Sequence, residues 1–258
     1  MEKAGEILRK KGIVKAAKRT DKVAAEGTTM VKVSGDTAVV LEVNSETDFV
    51  SGSPDFKDMA AKFTDALLQN KPANVEEAMS VTVGAETLQE VLNNLTAKIG
   101  EKIVLRRFAV VEKTSNDVFG AYSHLGGKIS VLVLLKNSAD SALATDVAMH
   151  AAASYPKYVD RSEVPVEIVE KEKEIYTEQL KQQGKPEAAI ANILKGKLDK
   201  FYSEVCLLEQ PFIKDEEKTI QQLLGNGVTL EKMVRFELGE GLVKEATDFA
   251  AEVEAQLK

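Results

Sequence analysis

The sequence predicts an α+β fold: two related subdomains of small antiparallel sheets covered by helices, with an inserted antiparallel helical hairpin and a C-terminal helix. Three observations carry this. Apolar residues switch repeatedly between alternation of period two and spacings of three and four. The order strand, strand, helix, helix, strand reads twice along the chain, with little residue identity between the halves. Finally, 44% of the 258 residues are hydrophobic, with no Trp and 5% aromatics, which supports two subdomains rather than one.

The elements follow in order. Ala4 to Lys11 reads as a short helix stopped by Gly12, and Lys15 to Glu26 as a polar connector. We place a remnant helical domain at 1–12 and a linker at 13–27. Strands Thr28–Val33 and Thr37–Asn44 flank a hairpin turn at Ser34-Gly35-Asp36. Ser53-Pro54 is an N-cap followed by Pro at the first helical position, and Phe56, Met59, Ala60, Phe63 and Leu67 mark one helix face. A second helix runs from about Glu86 to Ile99 and ends at Gly100; Lys102 to Glu112 is a strand. This first core subdomain spans 28–125.

The second, 126–158 and 207–241, repeats the order. Strands Val118–Tyr122 and Lys128–Lys136 are joined by Ser123–Gly127. An Ala-rich helix covers Ser141–Ser154, a short helix lies near Thr219–Leu224, and a strand near Lys232–Leu238. Inserted at 159–206 is a charged segment split by Gly184-Lys185-Pro186. Val169, Tyr176 and Leu180 mark one arm; Ile190, Leu194, Leu198, Phe201, Val205 and Leu208 mark the other. This hairpin is either self-contained or offers a stripe to a partner. A terminal helical module, 242–258, carries Leu242, Ala246, Phe249, Ala250 and Val253 on one face.

Composition narrows function. A net charge of −7 and a pI near 5.2 argue against dominant nucleic-acid binding. The basic run Arg9-Lys10-Lys11, Lys15, Lys18-Arg19 and Lys22 is either a solvated face or a contact to an acidic surface. One cysteine, Cys206, forms no internal disulfide and fits a reducing compartment. No signal peptide or membrane-spanning run is read. No P-loop or Gly-x-Ser-x-Gly elbow exists, and the two histidines give no metal or triad spacing. His150 sits mid-helix as a structural residue; His124, in a Gly-rich loop, is either a contact or structural. Glu46 and Asp48 sit two apart, as on one strand face, and read as surface carboxylates rather than a catalytic dyad. The inventory favours a binding protein over an enzyme, with no cofactor and no metal.

One stretch resists a packing explanation. Asn44-Ser45-Glu46-Thr47-Asp48-Phe49-Val50 lies between a strand and a helix start, and sets a large aromatic beside an acid. An exposed Phe there is a candidate wedge into a partner.

Thr47-Asp48-Phe49-Val50 closely resembles the core signature of the elongation factor Ts family. Ala97-Lys98-Ile99-Gly100-Glu101-Lys102-Ile103 with Arg106-Arg107 resembles its second motif. His124 with Gly126-Gly127-Lys128-Ile129, Ala148-Met149-His150, Gln210-Pro211-Phe212-Ile213 and Arg235-Phe236-Glu237-Leu238-Gly239-Glu240-Gly241 complete the order. The resemblance covers essentially residues 1–258. The family's three-helix, ubiquitin-associated-like front domain is expected here only as its last helix, Ala4 to Lys11.

The resemblance implies a guanine-nucleotide exchange factor for elongation factor Tu, in its GDP-bound and nucleotide-free states, doing no covalent chemistry. Thr47, Asp48, Phe49 and Val50 would dislocate the partner's Mg²⁺. Ile99, Gly100, His124, Ile213, Lys214, Leu242 and Phe249 would contact the partner, and the hairpin would form a homodimer. No direct nucleic-acid or membrane contact is expected. The implied location is the bacterial cytoplasm, or an organelle's matrix or stroma. The alternative is a scaffold that binds the GTPase or ribosome without promoting exchange.

Overall fold

The structure is a computed structural model and describes residues 23–242. The expected helix at 4–11, most of the linker at 13–27, and all of the expected helix at 242–258 except Leu242 lie outside the described residues. The fold is α+β, with small antiparallel sheets covered by helices. The described residues divide into two units: 23–111, 125–130 and 236–242 belong to the first, and 112–124 and 131–235 to the second.

In the first unit, β1 (Glu26–Ser34) and β2 (Thr37–Ser45) pair antiparallel from Glu26↔Ser45 to Ser34↔Thr37, leaving Gly35-Asp36 as a two-residue turn. Such turns match the twist of the flanking strands. β2 is central, between β1 and β5 (Ile103–Glu112), and all nine of its residues are buried. Its pleat separates two environments. Val39, Leu41 and Val43 enter the apolar core, whereas Glu42 and Asn44 alternate with them along the strand.

After the short helix α1 (Asp48–Gly52), α2 (Pro54–Asn70) covers this core with Phe56, Met59, Ala60, Phe63 and Leu67, the face the spacing predicts. Ser53 Oγ caps it by accepting from Phe56 N–H at 3.3 Å. The turn α3 (Val75–Met79) and the ribbon β3 (Thr82–Val83)–β4 (Glu86–Thr87) follow. They lead to α4 (Leu88–Ile99), which opens on a capping box of Thr87 and Glu90. Gly100, at φ 82°, ends it in the left-handed conformation that favours glycine.

The second unit holds most of a sheet of order β10-β7-β6, from β6 (Val118–His124), β7 (Ile129–Lys136) and β10 (Thr229–Glu237). Ser130 to Leu135 of the central β7 are buried. α5 (Ser141–Ser154) buries Ala144, Ala148, Ala151 and Ala152. Small residues permit a close approach to β6: a Cβ on Gly120 would overlap the Ala144 carbonyl. His150, mid-helix, is buried, with Nε2 and Gln210 Oε1 at 3.0 Å, as expected of a structural histidine. Burial pushes it below its ordinary value.

The hairpin is α6 (Val166–Gln182) and α7 (Glu187–Val205), turning at Gly184. α7 contains no fully buried residue. At its foot, Arg161 pairs with Glu209 and Asp199 and stacks on Tyr202, 4.4 Å from the ring centre. Burial pushes the Cys206 thiol up to about 11, so it behaves as a core residue. The ribbon β8 (Pro211–Phe212)–β9 (Asp215–Thr219) and α8 (Ile220–Leu224) lead to β10.

Candidate partner-binding site

The strand–helix joint differs from its sequence reading. The chain leaves β2 at Ser45 and forms the helix α1, so Glu46 and Asp48 do not share a strand face. Glu46 is the residue before the cap and Asp48 the first of the helix. A five-residue helix has no periodicity to read, and its stability comes from elsewhere.

Several bonds stitch α1 in place. Thr47 is its N-cap, with Oγ1 accepting from Val50 N–H at 3.4 Å. Ser45 Oγ donates to the Thr47 carbonyl at 2.9 Å. At the other end Ser53 N–H and Oγ both donate to the Val50 carbonyl, at 3.0 and 2.7 Å. Val50 is buried in the apolar core and acts as the anchor. Its neighbour Phe49 is 86% exposed, the most exposed of the large apolar side chains described. Asp48 is also exposed, in the first turn, where a negative charge suits the helix dipole.

The second motif meets this loop. Glu101 accepts from Thr47 N–H at 3.1 Å and from Thr47 Oγ1 at 2.9 Å, and Glu46 accepts from Lys102 N–H at 2.7 Å. Gly100 and Ile99, which close α4, therefore sit one and two residues from the bonds that hold α1.

The other expected contact residues belong to other elements. His124 ends β6, stacked on Tyr122 with ring centres 5.8 Å apart, and its Nδ1 is 3.3 Å from the Tyr122 hydroxyl. The next residue, Leu125, is 68% exposed at φ 50°. It went unnoticed in the sequence, although a Leu before two glycines in a hairpin tip was a usable signal. Ile213, 41% exposed, forms the β8–β9 turn with Lys214. Ile213 N–H donates to His150 Nδ1 at 3.3 Å, and Lys214 pairs with Asp146 at 2.8 Å. Leu242 is half-buried, its N–H donating to the Gly239 carbonyl at 2.9 Å. Phe249 lies outside the described residues. Among the described residues no group of three or more His, Cys, Asp or Glu side chains is placed to hold a metal ion.

The structure also gives a role to motif residues for which the sequence offered none. Glu42, fully buried, accepts from Arg106 at 2.9 Å, from Arg107 at 2.6 Å, and from Gly239 N–H at 2.8 Å. Arg106 also donates to the Glu240 carbonyl. Arg107 donates to the Glu237 carbonyl at 3.0 Å and covers the Phe236 ring at 4.3 Å. Burial alone would push the Glu42 carboxyl up. The Gly239 N–H and the two guanidinium groups outweigh it and hold the group below its ordinary 4.5. The signal was a lone acid in the apolar run Ala38–Val43. This cluster fixes the turn after β10 to β2 and β5.

The family model described as Elongation factor TS matches residues 46–240. The match begins one residue before the cap of α1 and ends at the glutamate that receives Arg107. It spans well over half of the chain. The chain belongs to the elongation factor Ts family, whose members serve translation by nucleotide exchange on elongation factor Tu.

Proposed function

We propose that this chain releases GDP from elongation factor Tu by inserting Phe49 between helices of the partner's GTPase domain, near its switch region. The observation that carries it is an apolar side chain left 86% exposed on a helix that is tied down at both ends. An unsupported loop would lose part of any docking energy in becoming ordered. Burying a Phe side chain contributes roughly 1.5–3 kcal/mol. At ~1.4 kcal/mol per factor of ten, that accelerates release about 10- to 100-fold if it favours the open partner.

In this mechanism Phe49 is the wedge and Asp48 brings a carboxylate to the partner's Mg²⁺ and phosphate region, where the ion is much of the charge balance. Thr47 and Val50 hold the pair in position. Ile99, Gly100 and His124 join them against the GTPase domain, while Ile213 and Lys214 face the partner's C-terminal β-barrel domain. Leu242 and the segment that follows, including Phe249, dock on the GTPase domain. Coupling is reciprocal: a factor that weakens GDP is weakened by GDP in the same ratio, so incoming nucleotide expels it. The chain itself makes and breaks no covalent bond. The compartment this role implies is the cytoplasm of a bacterium or the matrix or stroma of an organelle.

The hairpin is proposed as a self-association element. Val166, Ile168 and Ile175 are exposed on α6, and α7 has no fully buried residue. Analytical ultracentrifugation tests this: a dimer that Ile175→Asp converts to monomer is expected, and a monomeric parent chain removes the idea. The exchange reading is tested by stopped-flow release of a fluorescent GDP analogue from elongation factor Tu. Asp48→Ala and Phe49→Ala should both slow release while folding normally; unchanged rates would remove this loop from the mechanism.

A further inference from the structure

A helix of five residues does not recover its own nucleation cost. α1 nevertheless holds Phe49 in a defined orientation, and part of what holds it is distant in sequence. The two oxygens of Glu101 lie 2.9 and 3.0 Å from Thr47 Oγ1, and one accepts from Thr47 N–H at 3.1 Å. A hydroxyl has one proton to give. With that proton directed to Glu101, a lone pair remains for the Val50 N–H at 3.4 Å, which is the cap of α1. Glu46 returns the favour to Lys102 N–H at 2.7 Å. Two neighbouring residues on each side thus exchange bonds, and Gly100 at φ 82° turns the chain out of α4 immediately before them.

We propose that Glu101 is a positioning residue for exchange: its carboxylate keeps α1 folded before the partner arrives, so that Phe49 docks without first ordering its own helix. The proposal rests on Phe49 being the wedge. Glu101 needs no contact with nucleotide or partner. Its effect is on the cost of docking rather than on the opened state, and preorganisation of that kind strengthens binding.

The test titrates elongation factor Tu carrying a fluorescent GDP analogue with the full chain and its Glu101→Ala, Glu101→Gln, Phe49→Ala and doubly substituted variants. Amide hydrogen exchange at Val50 in the free chain is measured alongside. Glu101→Ala should raise the half-saturating concentration about fivefold, the equivalent of ~1 kcal/mol of helix capping. The maximal release rate should stay within about twofold, as expected for a loss of binding alone. Glu101→Gln should recover part of the loss, since its amide oxygen still accepts one bond. On the Phe49→Ala background, Glu101→Ala should add less than about twofold, because the two act through one element. Val50 N–H should exchange faster in Glu101→Ala. Unchanged Val50 protection overturns the proposal whatever the release assay gives. So does a full penalty that persists without Phe49, since Glu101 would then act by another route. A Phe49→Ala chain with parental rates would instead overturn the wedge, leaving Val50 protection to judge the brace on its own.

Discussion

The two units run one plan. In each, the second strand is central, between the first and the last: β1-β2-β5 and β6-β7-β10. In each, a two-stranded ribbon runs straight into a helix with a capping box, Thr87 with Glu90 and Thr219 with Gln222. They differ where the central strand hands over to its covering helix. The second unit crosses in four residues, Asn137-Ser138-Ala139-Asp140, none of them a large apolar residue. The first takes the eight residues from Glu46 to Ser53 and builds α1 there, with Phe49 outside. The plan does not require α1, because its counterpart does without it. The hairpin α6–α7 is the complementary case, present only in the second unit. What the shared plan leaves unexplained, α1 and the hairpin, is where we propose that function lies.

The two units differ most sharply at the buried charge. Glu42 has no counterpart among the buried residues of β7, which are apolar apart from Ser130. Glu42→Ala leaves two guanidinium groups facing an empty site and should cost about 3–5 kcal/mol, the range for breaking a buried ion pair. Urea unfolding measures it. A loss below about 1 kcal/mol would mean the arginines find water instead, as exposed pairs do.

Acid should separate the units next. His150 is buried uncharged below its ordinary 6.5, so the unfolded chain binds its proton first. The stability at stake is complete above that value and falls as pH drops through it. Glu42 is held below 4.5, so its contribution is complete above that value and fades only at lower pH. Denaturation at pH 7.5 and 5.5 should therefore show a loss in the parent chain that His150→Gln lacks and Glu42→Gln retains.

The capping boxes should give smaller and matching effects. Thr87→Ala and Thr219→Ala should each cost about 1 kcal/mol. A large difference between them would show that the two helices carry unequal shares of their units.

Much of this plan was legible because it is local. Ser53-Pro54 announces the cap of α2, Phe56 to Leu67 keep helical spacing, and Ser34-Gly35-Asp36 marks a hairpin. The exposed Phe beside an acid was equally readable as an anomaly. What stayed hidden is non-local. α1 is held partly by Glu101, 54 residues away, and Glu42 is satisfied by a glycine 197 residues away. No window of sequence shows that Arg106, Arg107 and the Gly239 N–H converge on one carboxylate. Nor does periodicity report a helix of five residues. Leu125 left a signal in the two glycines that follow it, but its left-handed backbone shows only in the structure.

Phe49→Ala should change stability least, by under about 0.5 kcal/mol, since the ring is exposed. It should nevertheless change function most. The direct measurement is stopped-flow GDP release from elongation factor Tu at saturating factor, with urea unfolding of the same variant. We expect release to slow about 10- to 100-fold with an unchanged unfolding midpoint. A parental release rate, or a loss of release explained by unfolding, would contradict it.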